Sequence, residues 1–253
     1  MAKLVHGELL LLNTYKLPII DNQFAPLNYK VVFDSLELAN LDRFKEEVPK
    51  LNQLALENNF EYVKMSHMVI DGDLMFNLKE IIKKETIDFV AMGTSGASGW
   101  KEMFLGTNKG EAIYNLSIPV LGIPENTKYF KIETIGFTTR YREKDKKVLS
   151  KIIKIAKSAG AMVKCLYFET KDSDNTKKTY QDWKDTFKDE PIQFFVIPSN
   201  NVKTTIEEFI NHQNIDVLAM LTYKRNFFQW MFKASFTETM SYHCAIPILA
   251  LHE

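Results

Sequence analysis

Residues 87–123 read IDFVAMGTSGASGWKEMFLGTNKGEAIYNLSIPVLGI, and residues 215–251 read IDVLAMLTYKRNFFQWMFKASFTETMSYHCAIPILAL. The two stretches align without a gap, and 11 of the 37 aligned positions are identical, where chance would give roughly two or three. The shared residues include an Ile-Asp pair at the start, an Ala-Met pair and an Ile-Pro pair near the end. The sequence therefore predicts two copies of one structural unit.

Outside this stretch, short apolar runs alternate with amphipathic segments. In the second copy, strands are predicted at 132–138, 163–168, 192–198, 216–221 and 246–251, and helices at 144–159, 176–187, 202–213 and 227–243. Continuous apolar strands separated by amphipathic helices are typical of a parallel sheet covered on both faces. Because crossovers between parallel strands are right-handed, the predicted fold class is α/β, with a doubly wound, Rossmann-like sheet in each copy.

The first copy follows the same order but lacks the beginning of the unit. Its strand at 8–15 matches residues 162–169, an offset of 162 − 8 = 154 residues. Nothing before Met1 then corresponds to the first strand and most of the first helix of the second copy. We expect Met1 to lie within a helix, preceded by a segment of about 26 residues. The alternative is a natural short form whose sheet is completed in another way.

The predicted domains are therefore residues 1–125, a first repeat without its first strand, and residues 126–253, the second repeat. Because 32 basic residues balance 32 acidic ones, the formal net charge is zero, which argues against nucleic acid as a partner. Cys165 and Cys244 lie in apolar runs and are predicted to pack in the core in the reduced state. The five histidines have no metal-ligand spacing, so no metal site is predicted. No apolar run approaches the length of a membrane span, so we expect a cytoplasmic protein without membrane contact.

A glycine-rich loop follows the predicted strand at 88–92. Its pattern is Gly-x2-Gly-x9-Gly-Thr, formed by Gly93, Gly96, Gly106 and Thr107. Glycines permit positive φ and a close approach of the backbone to an anion, and ligands bind at the carboxyl ends of strands in open α/β sheets. The loop therefore predicts a phosphate site, with a tight turn that binds no ligand as the alternative. It is neither a Walker loop nor a hydrolase nucleophile elbow, because both spacings are absent.

This segment, with its downstream strand IPVLGI, resembles the universal stress protein family, whose nucleotide-binding members carry the same glycine motif. The resemblance implies two tandem five-stranded sheets in order 3-2-1-4-5, with ATP or AMP, possibly with Mg, bound along the loop of the first repeat. The implied nucleotide contacts are Met92, Gly93, Gly96, Gly106, Thr107 and Asn108. Relatives also use an acidic residue at the end of the first strand, near the adenine. That strand is missing from the first repeat, so part of the adenine pocket is missing as well.

The second repeat has lost the motif. Gly93 is replaced by Leu221, Gly96 by Lys224 and Gly106 by Ala234, while Thr107 becomes Ser235. A branched side chain at 221 hinders both close approach and positive φ, so the second repeat is predicted to bind no nucleotide and to act as a structural partner. The aromatic residues within 227–232 are assigned to packing. Lys224-Arg225 is assigned to a solvated turn, with a cation at the former phosphate position as the alternative.

The function predicted from these residues is a nucleotide-responsive stress protein that is not an enzyme, because no base, nucleophile and orienting group occur together. A scaffold of the same fold without a ligand is the second possibility. Slow ATP hydrolysis is a distant third, since only Glu102 or Glu111 could hold a metal beside the loop. The resemblance further implies that the two repeats pair through their last strands, with a homodimer as an additional possibility.

Overall fold

The computed structural model describes residues 7–15, 26–59, 63–93, 116–124, 127, 131–169, 176–221 and 246–252. The chain divides into two compact units, Met1–Thr86 and Ile87–Glu253. This division differs from the predicted repeat boundary between residues 125 and 126, because strands from both sides of that boundary join one sheet. The repeats are defined by sequence, and their boundary stays a prediction.

The first unit contains two strands and two helices. They are β1 (Leu9–Tyr15), α1 (Pro26–Glu57), β2 (Met65–Asp71) and α2 (Leu74–Lys84). The strands pair in parallel from Leu9 opposite Met65 to Tyr15 opposite Asp71. Asp73 caps α2, because its carboxylate accepts the N–H groups of Met75 and Phe76 at 3.0 and 3.2 Å. Every residue of β1 is half-buried, although its first four residues are leucines.

The second unit is built on a seven-stranded sheet. Its elements are β3 (Val90–Gly93), β4 (Val120–Ile123), β5 (Thr134–Thr139), α3 (Glu143–Ala159), β6 (Met162–Glu169), α4 (Thr176–Thr186), β7 (Ile192–Pro198), α5 (Val202–His212), β8 (Val217–Leu221) and β9 (Ile248–Leu251). The strand order is β3-β4-β9-β8-β5-β6-β7. All neighbours are parallel except β4 and β9, which pair antiparallel with Leu121 opposite Leu249.

The predicted α/β class with a mostly parallel sheet is confirmed. Five of the strands, β7-β6-β5-β8-β9, have the predicted order 3-2-1-4-5, and every predicted strand of 126–253 is present within two residues of its predicted bounds. The predicted helix at 227–243 lies outside the described residues, as does Met1. In the part of the chain that the structure describes, no strand pairs with the outer edge of β3.

The core of the second unit lies where α3 packs on the sheet. The apolar side chains of α3 at Leu149, Ile152 and Ala156 are fully buried, as is Trp183 of α4. Burial of a large apolar side chain contributes about 1.5–3 kcal/mol, so this face of α3 holds the helix against the sheet. The helix ends at Gly160, whose φ of 66° is left-handed and whose N–H donates to Lys157 O at 3.1 Å. Glycine adopts this conformation without the strain that a Cβ would introduce.

Candidate functional site

The candidate site begins at the carboxyl end of β3, where the structure places Met92 and Gly93. Both residues pair with β4, with Met92 opposite Gly122 and Gly93 opposite Ile123. Met92 is half-buried and Gly93 is exposed. A Cβ built on Gly93 would have no heavy atom of the described residues within 4 Å. Among these residues, the strand therefore ends in bare backbone with free space beside it.

The conformation of Gly93 differs from one expectation of the motif. Gly93 belongs to the strand and does not have a positive φ, whereas Gly72 and Gly160 do. The left-handed conformation that we associated with the glycine motif is therefore not found at Gly93, because the residue continues the extended strand opposite Ile123 of β4. A glycine at this position leaves space beside the strand, because it has no side chain.

The remaining predicted contacts, Gly96, Gly106, Thr107 and Asn108, lie outside the described residues, and their assignment stays a prediction. The same holds for Glu102 and Glu111, and for the predicted counterparts Lys224, Arg225, Ala234 and Ser235. The aromatic run within 227–232 and Cys244 also fall there. The structure therefore places the start of the motif, at Met92 and Gly93.

The carboxyl end of β8 is the equivalent position in the predicted second repeat, and it has a different environment. Leu221 ends the strand and is only 3% exposed. The two strand ends are otherwise built alike, because Val90 N–H donates to Pro119 O and Leu218 N–H donates to Pro247 O, both at 3.0 Å. The apolar side chain of Leu221 thus lies at the end of β8, at the position where Gly93 has no side chain at the end of β3.

A buried carboxylate that the sequence analysis missed lies beside the end of β5. The sequence at the end of β5, Thr138-Thr139-Arg140, contains no acidic residue, yet the carboxylate of Asp145, from the first turn of α3, reaches the end of this strand. Asp145 Oδ2 accepts hydrogen bonds from Thr139 Oγ1 at 2.9 Å and from Arg140 N–H at 2.7 Å. Asp145 is completely buried, so it closes the turn between β5 and α3. Its position in the first turn of a helix after a strand is a capping signal that could have identified it.

Aromatic rings cover the carboxyl ends of β5 and β6. Tyr141 follows β5 with a left-handed φ of 54°, and its ring centroid lies 4.9 Å from that of Tyr167 and 5.0 Å from that of Trp183. Tyr141 and Tyr167 are both buried. Burial raises the pKa of Tyr141 above its ordinary value, so the hydroxyl stays protonated. Aromatic side chains therefore fill the end of the sheet at which open α/β folds bind ligands.

The remaining sequence predictions concern a core cysteine, a metal site and a membrane span. Cys165 of β6 is fully buried in the core, as predicted, and burial raises the pKa of its thiol. Across the described residues, no group of three His, Cys, Asp or Glu side chains is arranged to hold a metal ion. Within the same residues, no helix is both long and apolar enough to cross a membrane.

Neither a protein-family model nor a curated protein matches the sequence. Solved structures do match the fold. A universal stress protein from Archaeoglobus fulgidus is similar at a TM-score of 0.64 and 14% identity, covering 98% of this chain and 87% of that one. A putative universal stress protein from Pseudomonas aeruginosa is similar at 0.61 and 14%, covering 99% and 84%. A functionally unknown protein from Pseudomonas aeruginosa is similar at 0.60 and 14%, covering 99% and 84%. The mostly parallel sheet, its strand order and these similarities together show that this chain has the fold of the universal stress proteins.

Proposed function

We propose that the glycine loop following β3 binds an adenine nucleotide, ATP or AMP, and that the protein acts in a cytoplasmic stress response without turning the nucleotide over. The observation that carries this proposal is the open backbone at Gly93, where no atom of the residues that the structure describes lies within 4 Å of the position of a Cβ. Gly93 ends a parallel strand, which is where open α/β sheets bind ligands. The universal stress protein fold supports the same role.

The proposed contacts follow from the motif. Backbone N–H groups at Gly93, Gly96 and Gly106 would donate to phosphate oxygens, and Thr107 would add a hydroxyl donor, with Met92 and Asn108 beside them. Backbone amides directed at one anion form a site without any basic side chain. Mg could accompany ATP through the phosphates, since the motif itself contains no carboxylate. With no paired base and nucleophile in the motif, we expect binding to change conformation, without catalysing hydrolysis.

Calorimetric titration with ATP and AMP tests the proposal, using Gly96→Leu as the disrupting variant. The matched control is Lys224→Leu, which introduces the same side chain at the aligned position of the other repeat. Wild type and Lys224→Leu should bind equally, whereas Gly96→Leu should lose binding by at least about a hundredfold, because a side chain would occupy the phosphate volume. Equal behaviour of all three proteins would overturn the proposal, and steady ADP release with magnesium would indicate an enzyme.

A scaffold without a ligand is the second candidate, and the antiparallel pairing of β4 with β9 favours it. We infer that the two repeats associate through these last strands, and that homodimers could form in addition. A protein that binds neither nucleotide would fit this candidate. Sedimentation at several concentrations would then distinguish a monomer, with pairing inside one chain, from a dimer.

A further inference from the structure

The side chain of Tyr141 lies among aromatic rings at the carboxyl ends of β5 and β6. Its ring centroid is 4.9 Å from that of Tyr167, with the two planes at 30°, and 5.0 Å from that of Trp183, with the planes at 83°. Tyr180 adds a third ring, edge-on at 6.1 Å. These separations are typical of favourable ring pairs. Tyr167, Trp183 and Tyr180 therefore form an aromatic pocket, and the ring of Tyr141 occupies it.

The backbone of Tyr141 is strained in this position. Its φ of 54° is left-handed, a conformation that is unfavourable for a residue with a bulky side chain. The turn that holds it is short, because the N–H of Tyr141 donates to Thr139 Oγ1 at 2.9 Å. Strained residues of this kind persist only where the surrounding structure imposes them, and they cluster at ligand sites and switch regions.

The hydroxyl of Tyr141 is not stabilised by its burial. Tyr141 is only 8% exposed, and none of the described residues forms a hydrogen bond with its Oη. Burial of an unpaired hydroxyl is unfavourable, because its hydrogen bonds to water are lost. The ring of Tyr141 therefore fits the aromatic pocket, whereas its hydroxyl and its backbone both oppose this arrangement.

Two further buried polar atoms belong to the same cluster. Asp145 Oδ2 accepts the N–H groups of Arg140 and Arg142, on either side of Tyr141, at 2.7 and 3.3 Å. Asp145 Oδ1 and Trp183 Nε1 are on completely buried side chains, and neither atom has a hydrogen-bond partner among the described residues. The first atom accepts and the second donates. A phenol hydroxyl does both, so a phenol that is not tethered to the backbone has partners here that Tyr141 Oη does not use.

We propose that the aromatic pocket is a binding site for a small phenol, and that Tyr141 is an autoinhibitory contact that closes it. When the side chain leaves, φ returns to an ordinary region and the hydroxyl meets water, so part of the cost of opening is offset. A ligand binds only the open fraction of molecules, and its apparent affinity is lowered by that fraction. The position supports a ligand site, because open α/β sheets bind ligands at the carboxyl ends of their strands.

Tyr141→Gly tests the proposal, because glycine adopts a positive φ without strain and the substitution removes only the side chain. The ligand is p-cresol, which is the tyrosine side chain as a free molecule, and binding is measured by calorimetry. We expect Tyr141→Gly to bind p-cresol with a Kd on the order of 0.1–1 mM, and wild type to bind at least about a hundredfold more weakly. Toluene lacks the hydroxyl and should bind Tyr141→Gly about threefold more weakly, or less tightly still.

The matched control is Phe209→Ala, which removes a buried ring from an apolar cluster. The neighbours of Phe209 there include Leu166, Ile215 and Phe195. Because a hydroxyl would be unpaired among these side chains, we expect the opposite order, with toluene bound more tightly than p-cresol. Urea unfolding gives a second readout if Tyr141→Gly is only partly folded. p-Cresol at about ten times its Kd should raise the urea midpoint of this variant, since it binds the folded state alone.

Several results would overturn the proposal. If p-cresol neither binds Tyr141→Gly nor raises its urea midpoint, the pocket is not a ligand site. Equal affinity for wild type and Tyr141→Gly would show that Tyr141 does not close it, and tighter binding of toluene would exclude a phenol as the ligand.

Tyr141→Phe tests the inhibitory contact with the ring still in place. Because Oη has no partner among the described residues, the urea midpoint should stay the same or rise. A clear fall would show that the hydroxyl is stabilised where it lies, against the proposal. None of these experiments involves a nucleotide, and binding at the glycine motif is measured separately with Gly96→Leu.

Discussion

Strands β3 and β8 show how one sequence pattern produces two environments. Both strands follow an Ile-Asp pair, and both donate the same backbone hydrogen bond to the residue before their neighbour, at 3.0 Å. β8 is buried along its whole length, whereas β3 is exposed at Ala91 and Gly93. The difference lies on the side away from β4 and β9, where β8 pairs with β5. One neighbour is enough to set the register of a strand, and a second neighbour is needed to bury it.

The carboxyl ends of the two strands differ in the same direction. Leu221 is enclosed at the end of β8, and Gly93 stands open at the end of β3. Aromatic rings of Tyr141, Tyr167 and Trp183 further fill the region beside β8, at the ends of β5 and β6. The side chains on the β8 side are thus closely packed, whereas the described residues leave open space at Gly93 on the β3 side.

The largest difference between the two regions should appear on filling their glycines. Gly136→Val should lower the free energy of unfolding by about 3 kcal/mol, because even its Cβ would overlap Ile215. Gly93→Val should change it by less than about 0.5 kcal/mol, since no atom of the described part of the chain lies near that position. Urea denaturation of both variants checks this, and equal losses would contradict the comparison.

The next largest difference in stability is expected between the alanine variants of Asp216 and Asp88. Asp216→Ala leaves the N–H groups of Glu133 and Thr134 without their acceptor, so we expect a loss of about 2 kcal/mol. Asp88→Ala, with no described donor, should change stability by less than about 0.5 kcal/mol. The same urea experiment measures both, and a loss from Asp88→Ala as large as that from Asp216→Ala would show that Asp88 already has a partner.

A smaller difference in stability is expected between alanine variants of two glycines that differ in backbone conformation. Gly160 has space around it but a φ of 66°, whereas Gly93 has space and no positive φ. Gly160→Ala should therefore reduce stability by about 1 kcal/mol through backbone strain, and Gly93→Ala should not. Thermal unfolding followed by circular dichroism would resolve the two, and a neutral Gly160→Ala would show that the end of α3 can rearrange.

The smallest expected effect is a fall in the stability of the folded state at acidic pH. Burial lowers the pKa of His252, which follows β9, whereas Pro124 holds the aligned position after β4 and cannot titrate. With a lowered pKa in the folded state, the unfolded chain takes up the proton first. Stability is therefore fully present above the ordinary histidine pKa and falls as the pH drops below it. The urea midpoints of wild type and His252→Gln, measured across this range, should converge at neutral pH. If the dependence of the midpoint on pH persists in His252→Gln, another group causes it.

Much of the fold could be predicted because the strands are continuous apolar runs of the right length. The segment 192–198, for example, forms a strand with the predicted bounds. The hydrogen bonds from the N–H groups of Glu133 and Thr134 to the Asp216 carboxylate could not be predicted. The donors and the acceptor are more than 80 residues apart, and no local pattern joins them. The left-handed conformation of Tyr141 also escaped prediction, because a bulky residue rarely adopts it and only the surrounding packing selects it.

The candidate site was predicted only in part for a similar reason. The glycine motif identified the end of β3, where Met92 and Gly93 lie. It gave no indication of Asp145, because that carboxylate reaches the end of β5 from a helix and not from the strand. Spacing within a loop is visible in sequence, whereas the groups that neighbouring elements bring to it depend on the assembled sheet.

Residue-resolved amide exchange on the unliganded protein tests the comparison most directly. Ala219 occupies β8 at the position aligned with Ala91, and its N–H faces β5 because that of Leu218 faces β9. We expect Ala219 to exchange near the rate of global unfolding and Ala91 to exchange orders of magnitude faster. Equal protection of the two amides would contradict the account, because it would mean that the outer edge of β3 is already occupied.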